Sequence, residues 1–279
     1  MPFFAQEAYQ CGPAALAMVL TYSGRRTKPE ELVPRVYLPG REGSLQLELV
    51  GAARRHDRIP YVIQPSLPAM MAELNAGRPV VVLQNLGLAR WAVWHFAVVV
   101  GYQLREDVLL LRSGGTQRHE MSAYDFARTW DLASRWGMVV LRPGELPAAD
   151  DPGGYLRAVA DKEAVTGAAG LVEAYRAAVE RWPESTLARF GLANALRADG
   201  QLTAAVAQYR ALLQRTPADA AALNNLADAL NALGCREQAL STIDRALDLL
   251  SGFDPRRAVA LQTKEEILSA PRVPELCHN

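Results

Sequence analysis

At 279 residues, half of them hydrophobic and 22% charged, the chain is long enough for two globular domains and has an ordinary folded composition. Thirty basic residues balance thirty acidic ones, so no net field draws it to nucleic acid, and nucleic acid is excluded as a partner. No apolar run reaches the roughly 18 residues of a membrane span. Met1 stands ten residues before Cys11 without a signal peptide, so the chain as it stands is expected in the cytoplasm, or exported after removal of a leader.

The first stretch, Gln6-Glu-Ala-Tyr-Gln-Cys11-Gly12-Pro13, runs into an apolar segment through Leu20 that ends at Tyr22-Ser23-Gly24. Proline at a helix start, apolar residues all round and a closing glycine predict a buried helix with Cys11 at its mouth. Unpaired N–H groups and the helix dipole there favour an anion, so the thiol is expected to be shifted toward thiolate. Thr27 to Pro39 reads as a helical turn interrupted by Pro34, and Gly43-Ser44 as the cap of a helix from Leu45 to His56. Tyr61 to Gln64 reads as a short strand, followed by a helix capped by Ser66 and closed by Gly77. Val80–Leu83, Trp94–Tyr102 and Asp107–Leu111 are stronger strands, the last two joined by a hairpin-sized link. Ser122-Ala-Tyr-Asp125 is a capping box for a helix ending at Trp130, and Trp136–Leu141 is a final strand. Helices first and an antiparallel sheet after make an α+β domain.

His95 opens an apolar strand, where an unpartnered imidazole is costly to bury. Cys11 and His95, distant in sequence, are a nucleophile and base pair that the fold has to bring together, and Gln6 supplies an amide donor. Trp91 and Trp94 flank the histidine and are expected in the core, while Gln84 and Asn85 either face the site or cap a turn. The cysteines, at 11, 235 and 277, make no disulfide framework and no zinc pattern. The histidines at 56, 95, 119 and 278 have no metal-ligand spacing, His119 reading as part of a polar turn. No metal or cofactor is expected.

Gln6 with four residues before Cys11-Gly12, the helix ending Tyr22-Ser23-Gly24, His95-Phe96 opening a strand that reaches Gly101, and the Met121–Trp130 segment resemble the papain-like cysteine peptidases that process bacteriocin and double-glycine leader peptides. The resemblance covers residues 3–143. It implies a papain-like fold, Cys11 as nucleophile, His95 as general base, Gln6 as the oxyanion-hole side chain, and a peptide or protein substrate. That family places an Asp after the next strand to orient the imidazole. Here Arg112 or Ser113 takes the position, according to where the hairpin gap falls, and no acid stands there. Three activities follow as expectations: a cysteine peptidase, a degenerate fold that binds a glycine-rich leader uncut, or Cys–His acyl transfer to an amine.

Residues 144–154 are rich in proline and glycine and read as a linker between a catalytic domain at 1–143 and a helical domain at 155–279. Beyond the linker, a shift of 34 residues lays Tyr175 on Tyr209, Pro183 on Pro217, Leu192-Ala193 on Leu226-Ala227 and Gly200 on Gly234. That period and composition look like tetratricopeptide repeats, about two and a half of them, closed by a capping helix from Asp254 to Ser269. Such a solenoid is expected to bind a protein partner or the substrate.

Overall fold

The computed structural model describes residues 1–6 and 10–271. They form two compact units, Met1–Thr166 and Gly167 onward.

The first unit opens with α1 (Cys11–Tyr22), buried from Gly12 to Leu20 as its unbroken apolar run requires. Three helices and a strand follow: α2 (Pro29–Val36), α3 (Gln46–Arg55), β1 (Ile59–Val62) and α4 (Leu67–Asn75). Next come β2 (Val80–Asn85), β3 (Trp94–Gln103), β4 (Val108–Ser113), β5 (Thr116–Ser122), α5 (Ala123–Asp131) and β6 (Gly137–Leu141). The strands form one antiparallel sheet in the order β1-β6-β2-β3-β4-β5. Leu83 lies opposite Phe96 and Val81 opposite Val98, and these four side chains join α1 and α3 in one core. Phe96 meets Trp136 edge to face, ring centroids 5.9 Å apart. The helices-then-antiparallel-sheet order makes the unit α+β.

Two serine caps form as their sequences predict. Ser66 Oγ accepts from the Ala69 N–H, and Ser122 Oγ accepts from the Asp125 N–H while donating to the Asp125 carboxylate. Other expectations need correction. Ser44 does not cap α3: Leu45 occupies the N-cap position without a side-chain bond. The α2 helix continues through Pro34 rather than breaking there. His119 lies on β5, not in a turn. That strand sits at the sheet edge with Thr116 to Glu120 all exposed, so it carries no apolar alternation to read.

The boundary also moves. α6 (Pro152–Thr166), expected to open the second domain, belongs to the first unit, where it packs on β1 and α3. Arg54 pairs with Asp161 at 2.7 Å, and the buried Lys162 donates to Arg54 O. The 144–154 stretch, expected as a free linker, is tied down in the same unit. Tyr61 donates to Asp151 at 2.8 Å, and the Ala148 N–H donates at 2.8 Å to Glu73, a carboxylate buried to 1% exposure and paired with Arg78. Its prolines and glycines shape a bound path rather than a flexible one.

The second unit is helical: α7 (Val172–Arg181), α8 (Thr186–Ala198), α9 (Leu202–Arg215), α10 (Ala220–Ala232), α11 (Arg236–Leu249) and α12 (Pro255–Ser269). α8 with α9 and α10 with α11 are the repeated pairs, and neighbours stack along the array. Gly200 and Gly234, one period apart, both take left-handed backbone after their helices. Leu192, Ala193, Leu226 and Ala227 are buried at matching places. Asp254 caps α12, accepting from the Arg256 N–H. Cys235, buried before α11, is disulfide-bonded, which corrects the expectation of no disulfide framework. Cys277 and His278 lie outside the described residues.

Candidate active site

Cys11, Gln6 and His95 line one cleft of about 950 Å³, with Ser44, Gln46, Leu83, Trp94 and Gly114 among its other walls. Cys11 is the first residue of α1, and the packing of that helix on β3 carries the sulfur to the strand whose second residue is His95. Pro13 stands in the first turn of α1, two residues past its start, where its missing N–H still costs no helical bond. Cys11 is the free cysteine among the described residues. Gly12 must be a glycine: a Cβ there would stand 2.4 Å from Ser44 Oγ. That hydroxyl oxygen is itself buried without a hydrogen-bond partner.

The imidazole of His95 is held from one side. Its Nε2 lies 2.9 Å from Ser113 Oγ, at the end of β4, which leaves Nδ1 as the ring nitrogen available to the cleft. Of the two residues that the hairpin gap left open, Ser113 therefore meets the histidine. Arg112 turns away: its guanidinium donates to Gln117 O and Met1 O and lies over the Phe3 ring. Gln6 is fixed at both ends of its amide. Oε1 accepts from the Gly114 N–H at 3.0 Å and Nε2 donates to Phe96 O at 3.2 Å, and the amide's second N–H has no partner among the described residues.

The electrostatics differ from the expectation drawn from the helix mouth. Burial pushes the Cys11 thiol above its ordinary value. The backbone N–H groups of Phe96, Gly12 and Cys11 draw it back down, by less than burial raises it. Local dipoles were legible in the sequence; the loss of water around the sulfur was not. His95 is pushed below its ordinary value, first by burial and then by the positive charge of His119 when protonated. Both shifts favour the neutral thiol and neutral imidazole over a resting ion pair. No hydrogen bond joins Cys11 and His95, and catalytic bonds of this kind often close only around a substrate.

Trp91 and Trp94, expected in the core, are 73% and 55% exposed. Trp94 lines the cleft and also a second hollow of about 340 Å³, walled by Ile63, Pro65, Leu132 and Trp136 among others. Neither Gln84 nor Asn85 enters the site. Gln84 Nε2 donates to Thr129 Oγ1 at 2.8 Å, and Asn85 Oδ1 accepts from the N–H groups of Gly87 and Val93, closing the 86–93 loop. His56 closes the end of α3 through a 2.8 Å contact between Nδ1 and Ala52 O. Among the described residues no group of three or more His, Cys, Asp or Glu gathers as a metal site, and no helix is long and apolar enough to cross a membrane.

Comparison with known proteins follows the same division. Residues 1–138 match the sequence model of the Peptidase_C39 like family, and residues 172–220 and 192–252 match that of the tetratricopeptide repeat. No curated protein matches the chain. Among solved structures, a candidate C39-like peptidase from Bacillus anthracis is similar at 16% identity, covering 50% of this chain and 94% of its own, with a TM-score of 0.42. The double glycine motif protease of an AMS/PCAT transporter, solved with a leader peptide, is similar at 21% identity, with 50% and 89% covered and a TM-score of 0.38. The peptidase domain of Streptococcus ComA, a bi-functional ABC transporter of a quorum-sensing pathway, is similar at 20% identity, with 50% and 96% covered and a TM-score of 0.40. The first unit thus carries a C39-like peptidase domain and the second carries tetratricopeptide repeats.

Proposed function

We propose that the first unit is a cysteine peptidase in which Cys11 is the nucleophile, His95 the general base, Gln6 an oxyanion donor and Ser113 the partner that orients the imidazole. The observation that carries this reading is the meeting of Gln6, Cys11 and His95 in one cleft with His95 Nε2 anchored on Ser113. With Nε2–H donating to Ser113 Oγ, the Nδ1 lone pair takes the thiol proton as sulfur attacks the scissile carbonyl. The carbonyl π pair becomes the oxyanion, facing the second N–H of the Gln6 amide. Its collapse breaks the C–N bond, the imidazolium returns the proton to the leaving amine, and water then releases the acyl group. With the thiol pushed up and the imidazole pushed down, proton transfer accompanies attack rather than preceding it. Cutting after small residues such as a double glycine is the preference that the family resemblance brings. The repeats present the surface for a protein partner or a long substrate.

A second reading, a domain that binds a glycine-rich peptide uncut, draws on two observations: a hydroxyl stands where a carboxylate would stabilise the imidazolium, and the thiol is pushed up. Acyl transfer to an amine uses the same groups and differs only in what attacks the acyl-enzyme. A Gly-Gly reporter with a fluorogenic leaving group separates the three. Hydrolysis by the full chain, lost in Cys11→Ala and in His95→Ala with the thermal transition retained, supports the peptidase. Binding without turnover in the wild type favours the second reading. Faster loss of the reporter with added amine favours transfer.

A further inference from the structure

The end of β4 and the turn after it hold two residues of the cleft and the segment that leads to one of them. Ser113 holds His95. Gly114 exchanges two hydrogen bonds with Gln6: the Gln6 backbone N–H donates to Gly114 O at 3.1 Å, and the Gly114 N–H donates to Gln6 Oε1 at 3.0 Å. The second bond sets the direction of the amide, because turning Oε1 to Gly114 sends the NH2 group to Phe96 O and the cleft. Arg112, one residue earlier, holds the segment that leads to Gln6. Its guanidinium donates to Met1 O at 3.3 Å and to Gln117 O at 2.7 Å, and its centre lies 5.9 Å from the Phe3 ring centroid. Met1, Phe3 and Phe4 pack against the core below. Among the described residues Arg112 makes no ion pair; its guanidinium goes to carbonyl oxygens and an aromatic face, both on the segment or the hairpin.

We infer that Arg112 is a positioning residue for the oxyanion donor: it clamps Met1–Phe3 to the β4–β5 hairpin so that Gln6 reaches the cleft with its amide already aimed. The inference rests on Gln6 being that donor. Gln6 is a flexible side chain, and its bonds to Gly114 fix its direction only while its backbone stays against the turn. A planar fork that donates to two carbonyls and stacks on a ring restrains the segment better than a point charge does. Slackening it displaces the amide, and a misplacement near 1 Å can cost about 10²-fold in rate.

The test uses two reagents on the full chain. Iodoacetamide alkylates Cys11 by displacement at a saturated carbon and forms no oxyanion, whereas p-nitrophenyl acetate acylates it through one. Arg112→Ala is expected to slow acylation by about 10-fold to 100-fold, within what losing one oxyanion donor costs. Alkylation should be unchanged. Arg112→Lys should recover part of the acylation rate. The Gln6→Ala/Arg112→Ala double variant should be no slower than Gln6→Ala alone, since both act through one donor. Amide hydrogen exchange at Gly114 should lose protection in Arg112→Ala. Acylation unchanged in Arg112→Ala, losses that multiply in the double variant, or equal slowing of both reagents overturns the inference. A wild-type chain that the ester does not acylate removes instead the reading of Cys11 and Gln6. The clamp then stands or falls on Gly114 exchange, and unchanged protection overturns it.

Discussion

Restoring an acid beside His95 is the sharpest test of the site's electrostatics. Ser113 Oγ lies 2.9 Å from Nε2, so Ser113→Asp puts a carboxylate in hydrogen-bond contact with the imidazole. An opposite charge within about 4–6 Å moves a pKa by about 1–3 units, and each unit is about 1.4 kcal/mol. Desolvating the new carboxylate in this half-buried turn offsets part of that gain, so the lower end is the expectation. The sign follows from the present shifts. His95 is held down by burial and His119, and the carboxylate raises it; the imidazolium so favoured then lowers the Cys11 thiol, which burial now holds up. A thiolate–imidazolium pair therefore gains a window between the lowered thiol value and the raised imidazole value. In the wild type the thiolate forms only on the alkaline side. The assay is the pH profile of Cys11 alkylation by iodoacetamide, read by mass spectrometry. Ser113→Asp should move the alkaline limb down by about one unit and speed labelling near neutrality about tenfold. Ser113→Asn, which supplies an amide and no charge, should leave the limb in place. An unchanged profile in a folded Ser113→Asp protein refutes the argument that His95 couples to Cys11.

Gly12→Ala forces a Cβ against Ser44 Oγ and Cβ, at 2.4 and 2.6 Å, and should cost about 1–3 kcal/mol in urea unfolding while slowing Cys11 labelling. Gly191→Ala drives a methyl into the Tyr175 ring at 2.2 Å and should cost a similar amount, about 1–3 kcal/mol, with labelling of Cys11 untouched because the change lies in the second unit. A chain ending at Thr166 should keep a cooperative melt and a labelled Cys11. One ending at Gly144 strips α6 from β1 and α3, removes the Asp151 partner of Tyr61, and should lose that cooperativity. Equal behaviour of the two truncations contradicts the boundary drawn after α6.

Local rules carried the sequence reading a long way. The α1 helix followed from an apolar run between Pro13 and Gly24, the caps at Ser66 and Ser122 from hydroxyls before helix-forming segments, and the repeats from a 34-residue period in which several residue types matched. Each of these depends on neighbours close in the chain or on self-similarity, and both are written in sequence order. What failed had its cause elsewhere. β5 is an exposed edge strand, so neither face imprinted an apolar pattern on Thr116–Ser122. Trp91 and Trp94 look like core residues by type, yet Asn85 closes the 86–93 loop and leaves both exposed, Trp94 against the cleft.

The sequence by itself determined the two classes of architecture and the buried helix behind Cys11, and it set a histidine on an apolar strand. Only the tertiary structure decided between Arg112 and Ser113, because hairpin register, not spacing, sets which side chain of β4 meets the imidazole. It also decided that α6 closes the first unit, since the faces of β1 and α3 that it covers are assembled from distant segments. The direction of the thiol's shift was decided there too: a helix dipole is a local property, but the desolvation that outweighs it is the sum of every element packed around the sulfur.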